Sequence, residues 1–209
     1  LLTYQETNEL AASWFERASR QGDIPATNRL ANMYKNGIGV ASNLQKTFSL
    51  YKQNAEAGDA SGQRWLGVAY FEGDGVARDY AQAMNWFIKT ANNESAARDD
   101  ISAAQGALAY LYSFGLGADQ NRVLGYAWAN LAAAGGNETA KKLLNELEKK
   151  MSAQEIRTAQ TLSSSWKQGV ELAYAPKSEG TTSESSPSSA KSEDGKRKED
   201  LSLETSRSS

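Results

Sequence analysis

Three serines in this chain stand three residues ahead of a lysine, at Ser49 to Lys52, Ser164 to Lys167 and Ser188 to Lys191. In β-lactam-processing enzymes that spacing supplies a nucleophile and its base, but as one part of a set with Ser-Asp-Asn and Lys-Thr-Gly elements. Neither companion occurs here, and three hits show how little the spacing selects. The carboxylate pairs Asp99-Asp100 and Glu199-Asp200 could meet a hard cation, yet they lack the oxygen-rich spacing of a calcium loop and are expected to be solvated charge. The basic run Lys196-Arg197-Lys198 is flanked by Asp194 and Glu199-Asp200, which weaken any field it makes. The chain has no Cys and no His, which removes thiol nucleophiles, disulfides, the usual zinc ligand sets and imidazole acid–base chemistry together. A formal charge of −2, with the two signs interspersed, gives no reason to expect nucleic acid. No stretch approaches the roughly 18 to 20 apolar residues of a membrane span. These residues assign no catalytic group, metal or cofactor, and no small-molecule substrate.

The Gly-x-Gly steps Gly37-Ile38-Gly39, Gly73-Asp74-Gly75 and Gly115-Leu116-Gly117 lack the preceding strand and third glycine of a nucleotide fingerprint. They mark a repeat. A shift of 36 residues carries Gly37 to Gly73, Leu30 to Leu66, Tyr34 to Tyr70 and Phe15 to Tyr51, and a shift of 42 carries Gly73 to Gly115, Tyr70 to Tyr112 and Trp86 to Trp128. The six extra residues are expected between positions 92 and 100. Self-similarity at this period indicates a solenoid, in which each unit buries its apolar face only against its neighbours. Glycine is expected to supply positive φ and close approach where two antiparallel helices reverse. The periodicity predicts a lone helix over 7–18, the second half of a unit without its first. It then predicts first helices near 25–36, 61–72 and 101–114, each followed by a second near 43–56, 79–92 and 120–134. Two closing helices follow, over 139–150 and from Ser152 toward Tyr174, the latter opened by the capping box Ser152-Ala153-Gln154-Glu155. Trp14, Trp86 and Trp128, and the series Tyr34, Tyr70 and Tyr112, recur in register and are expected in the core. From Ala175 the chain turns to Ser, Glu, Lys and Thr, and a disordered tail is expected over 175–209.

The unit Leu66-Gly67-x-x-Tyr70-x-x-Gly73-x-Gly75-Val76-x-x-Asp79-x-x-x-Ala83-x-x-Trp86-x-x-Lys89-x-Ala91 resembles the Sel1-like repeat, a longer relative of the tetratricopeptide repeat with a glycine pair between its helices. The resemblance spans residues 8–136. The segment from Trp128 to Trp166, with Asn130-Leu131-Ala132-Ala133-Ala134 and Met151-Ser152, is similar to the terminal helices of bacterial members. Thr47 and Gly125 depart from the alanine at the Ala83 position and Leu50 from the tryptophan at the Trp86 position, local changes of curvature rather than of fold. The resemblance implies an all-α, right-handed α/α superhelical solenoid: a half-unit and three helix pairs over 1–136, capping helices over 137–174, then the tail. It implies a non-enzymatic adaptor or regulator that holds another protein or peptide. The alternatives are a component of a bacterial envelope machine or a toxin-immunity protein and, further off, a hydrolase. Likeness to exported bacterial members, with a first residue that is not Met, leads to the expectation of a periplasmic or otherwise exported protein, the alternative being cytoplasmic.

Positions that do not repeat suggest where a partner would bind. Opposite the buried face of the first helices, at about 100° per residue, lie Arg29, Asn32 and Asn36, then Trp65, Val68 and Glu72, then Ala107, Tyr110 and Phe114. In related solenoids the first helices line the concave surface. The resulting expectation is one groove wall with Trp65, Val68, Tyr110 and Phe114 as apolar anchors and Arg29 and Asn32 as polar contacts. The alternative is that Trp65 and Phe114 fill gaps between neighbouring first helices.

Overall fold

The computed structural model describes residues 3–170 and 172, and among them it has nine helices and no strand. In chain order they are α1 (Tyr4–Arg20), α2 (Ile24–Asn36), α3 (Leu44–Glu56), α4 (Ala60–Glu72), α5 (Tyr80–Ala91), α6 (Arg98–Phe114), α7 (Arg122–Ala134), α8 (Glu138–Glu148) and α9 (Ala153–Ser165). Helices α1 to α8 pack chiefly on their neighbours in sequence, as a stack of hairpins requires, whereas α9 folds back onto α7. The expected tail over 175–209 lies outside the described residues.

The repeat is written most clearly in the turns. Asn43, Asp79 and Asn121 each cap a second helix, accepting the N–H three residues on. Their own N–H groups donate to the carbonyls of Tyr34, Tyr70 and Tyr112 at 2.9, 2.9 and 2.8 Å, locking each second helix to the end of its first. Gly37, Gly73 and Gly115 end α2, α4 and α6 at φ 69°, 83° and 67°, the left-handed region that costs glycine nothing. The second glycine of each pair has a different neighbour. A Cβ on Gly39, Gly75 or Gly117 would collide with the carbonyl of Asn8, Leu44 or Tyr80, the register-equivalent residues in the second helix of the preceding unit. The close approach expected of these glycines is therefore between units as well as within a hairpin.

Small side chains let the helices meet closely. Ala31, Ala83, Ala109 and Ala127 are completely removed from water, and Leu66, Leu108 and Leu111 fill the space between them. The insertion is absorbed partly by a helix: α6 has 17 residues where α4 has 13, and the connection before it runs 92–97 where the one before α4 runs 57–59. Asp100, expected to be solvated, is instead buried in the added turn. It accepts from Ser61 Oγ at 2.7 Å and pairs with Arg64 on α4. The insertion thus has its own tether to the preceding unit.

Two further expectations are corrected. The last helix stops at Ser165 instead of continuing toward Tyr174. Trp166 turns to extended backbone, its ring meets Trp128 edge-on at 5.8 Å, and its Nε1 donates to Val170 O. Gly169, at φ 87°, then lets the chain reach the loop after α5, where Gln168 Nε2 donates to Asn93 O at 2.7 Å and Gly169 N to Asn92 Oδ1 at 3.0 Å. Trp14, expected in the core, is 57% exposed, whereas Trp128 is 2% exposed and Trp86 half-buried. Trp86 packs on the cluster that holds Tyr51 and Ala55 of the preceding second helix. Helix α1 has no such predecessor among the described residues, so the same register position is left uncovered.

Candidate functional site

Ala103, Ala107, Tyr110 and Phe114 recur on α6 at intervals of three and four, a spacing that lines them up along one helix face. Helix α4 flanks this stripe with Val68 and Phe71, and α8 with Leu143. Between the three helices lies a groove of about 550 Å³. Its rings form a connected set: Phe71 meets Tyr110 edge-on at 6.0 Å, and Tyr110 lies 4.6 Å from Phe114. Tyr110 and Phe114 remain 44% and 51% exposed. The charged residues of the groove are Glu72, Lys142 and Glu146. Glu72 lies 3.8 Å from Lys35, and Glu146 pairs with Lys149 at 2.7 Å. The hydrogen bond and charge of Lys149 hold the Glu146 carboxyl below its ordinary range. Asn137 lines the groove as well, with both ends of its amide in use: Oδ1 caps α8 through Ala140 N, and Nδ2 donates to Ser102 O.

Val68, Tyr110 and Phe114 therefore come together. Trp65 does not join them: its half-buried ring stacks on Tyr51 at 5.8 Å, with the Arg64 guanidinium 4.1 Å and the Lys35 ammonium 5.5 Å from its centre. Arg29 and Asn32 line a separate shallow depression between α1 and α2, beside Asn8 and Phe15. The Asn32 side chain accepts from Tyr51 OH at 3.3 Å. Phe71 and Leu143 were missed. Phe71 stands where the previous unit has Lys35, a departure from the repeat of the same kind that singled out Val68. Leu143 lies beyond the repeat register, where no such comparison exists.

Nucleophilic chemistry finds no support in the geometry. Ser49 Oγ donates to Gln45 O at 2.9 Å, and Lys52 lies 3.8 Å from Glu56, so neither is turned to the other. Ser164 donates to Thr161 O, and the Ser188–Lys191 pair lies outside the described residues, as do the run at 196–198 and the acidic pair at 199–200. Among the described residues no group of three or more acidic, His or Cys side chains is placed to hold a metal ion, and no helix is long and apolar enough to cross a membrane.

Stacked helix hairpins, each ending its first helix on a left-handed glycine and seating a second glycine on the hairpin before, define an α/α solenoid built from one repeated unit. The model of the Sel1 repeat family matches residues 8–23, 24–59, 60–95 and 102–137, and the chain belongs to that family. The unmatched residues 96–101 are the insertion. Sel1 repeats are generally protein-interaction modules. Among solved structures the chain is similar to a Sel1 repeat protein from Oxalobacter formigenes, at 23% identity and a TM-score of 0.60, over 66% of this chain and 54% of that one. It is also similar to c5321, described as a protective antigen present in uropathogenic Escherichia coli strains displaying an SLR fold, at 28% identity and a TM-score of 0.46, over 73% of this chain and 39% of that one. The chain thus spans about half the length, or less, of these two relatives. No curated protein gives a significant match.

Proposed function

We propose that this chain is a non-enzymatic adaptor that holds a partner protein in the groove over α6. The observation that carries this reading is the exposure of Tyr110 and Phe114, 44% and 51%, inside an apolar cleft. Leaving such rings in water forfeits about 25 cal/mol for each Å² of apolar surface that burial would remove. Clustered aromatics in a cleft are the residues that dominate interface energies. Val68, Phe71 and Leu143 extend the same surface, and no converging ionisable groups offer a competing chemical use for it.

A random-peptide phage library selected on the immobilised chain tests the proposal. Peptides enriched on the wild type are expected to lose binding to the double variant Tyr110→Ala/Phe114→Ala, while its far-UV circular dichroism stays helical. Peptides that bind both proteins equally would move the binding surface elsewhere.

A further inference from the structure

We propose that the occupant of the groove is an amphipathic α-helix of a partner protein, carrying an Asp or Glu beside its apolar stripe and held there by Lys142. This rests on the groove being the binding surface. Three observations lead to it.

The first concerns the backbone of whatever enters. The groove is walled by α4, α6 and α8, whose own N–H and C=O groups are spent inside the helices. The Asn137 amide is held in place by one bond at each end, Nδ2 to Ser102 O and Oδ1 from Ala140 N. Tyr110, Thr139 and the charged Glu72, Lys142 and Glu146 are separate side chains and form no edge of repeating N–H and C=O groups, so an extended peptide would leave part of its backbone unmatched at a cost. A helix arrives with its backbone already paired and presents only side chains.

The second is length. From Ala103 to Phe114 the floor runs along α6 for ~16 Å at 1.5 Å per residue, about three helical turns, enough to seat apolar residues at i, i+3, i+4 and i+7.

The third is charge. Glu146 is paired with Lys149 at 2.7 Å, Glu138, one turn before Lys142 on α8, with Lys141 at 2.6 Å, and Glu72 lies 3.8 Å from Lys35, which it shares with Asp74 at 3.2 Å. Among the described residues Lys142 has no ion-pair partner, and it borders the apolar stripe. A carboxylate on the incoming helix supplies the missing partner, and a lysine there would meet a like charge.

Two labelled synthetic helices of about 14 residues test this, identical in a leucine stripe and differing only in whether Glu or Lys flanks it; they are titrated against the full chain by fluorescence anisotropy. The Glu helix is expected to bind about two- to fivefold more tightly, the range of a partly exposed ion pair, with a preference that shrinks as salt is raised. Lys142→Gln should erase the preference and Lys142→Glu reverse it. A peptide with a central proline, unable to hold the helix, should not bind. Equal affinity for the Glu and Lys helices, still lost in Tyr110→Ala/Phe114→Ala, would overturn the carboxylate and leave the groove reading intact. Binding of the proline peptide as tight as that of its parent would overturn the helix. Binding of the helices that ignores the double variant would overturn both inferences, because the groove itself would not be the site.

Discussion

Trp14 and Trp128 occupy the same repeat position, yet one is 57% exposed and the other 2%. Trp128→Ala is expected to cost about 3–5 kcal/mol, as for large-to-small core changes, and Trp14→Ala under about 1 kcal/mol, the two separated by urea unfolding. The indole N–H of Trp128 has no hydrogen-bond partner among the described residues, which offsets part of what its packing contributes. A glycine pair gives a second contrast. At Gly73 an added Cβ has its nearest atom at 3.5 Å, so Gly73→Ala carries the left-handed backbone cost alone, about 1–2 kcal/mol. Gly75→Ala adds a collision with the Leu44 carbonyl and should cost about 3 kcal/mol or more in the same assay. Tyr51 predicts a pH effect. Burial pushes its hydroxyl from 10.0 up to about 12, so the folded state keeps the proton that the unfolded chain gives up. Stability from this group is complete below pH 10 and lost as pH rises toward about 12; Tyr51→Phe should flatten that decline in alkaline urea titrations. Repetition made most of this core legible in the sequence. It could not tell Trp65 from Phe114, because each breaks the pattern in the same way, and only the rings and cations brought around Trp65 by folding separate them.

At the level of elements, α6 does the most. It carries the floor of the groove on one face and the buried Leu108, Ala109 and Leu111 on the other, and its added first turn supplies Asp100. Asp100→Ala removes the partner of Arg64 and Ser61 together and is expected to cost about 2 kcal/mol by chemical denaturation, with α6 and its groove still formed. The existence and order of the helices followed from periodicity and caps. The last helix was overextended because its apolar spacing continues through Trp166, while the bonds that turn the chain aside, from Gln168 and Gly169 to Asn93 and Asn92, join residues too distant for any local pattern to reveal. The groove was half legible for a related reason. Val68, Tyr110 and Phe114 stand out as breaks in the repeat, whereas Leu143 belongs to α8, which has no earlier copy to be compared with.

Across the molecule, stability resides in contacts between consecutive hairpins, so the two ends of the array need not be equivalent. The C-terminal end is closed by α8, α9 and the segment that carries Trp166 back beside Trp128 and Leu172 into the core. At the other end α1 packs chiefly on α2, with Gln53 Nε2 of α3 donating to Ser19 O at 3.4 Å, and among the described residues Leu10 and Trp14 are left exposed. The second glycine of every pair gives this asymmetry a direction. Gly39 sits against Asn8 of α1, Gly75 against Leu44 at the start of α3 and Gly117 against Tyr80 at the start of α5, so each turn uses the second helix behind it as its seat. If α1 lifts away, the turn at Gly39 loses its support first, and α3, anchored through that turn, is released before α5. Amide hydrogen exchange of this chain should therefore form a gradient, fastest in α1 and slowing unit by unit toward α7, as in a zip whose teeth let go in order.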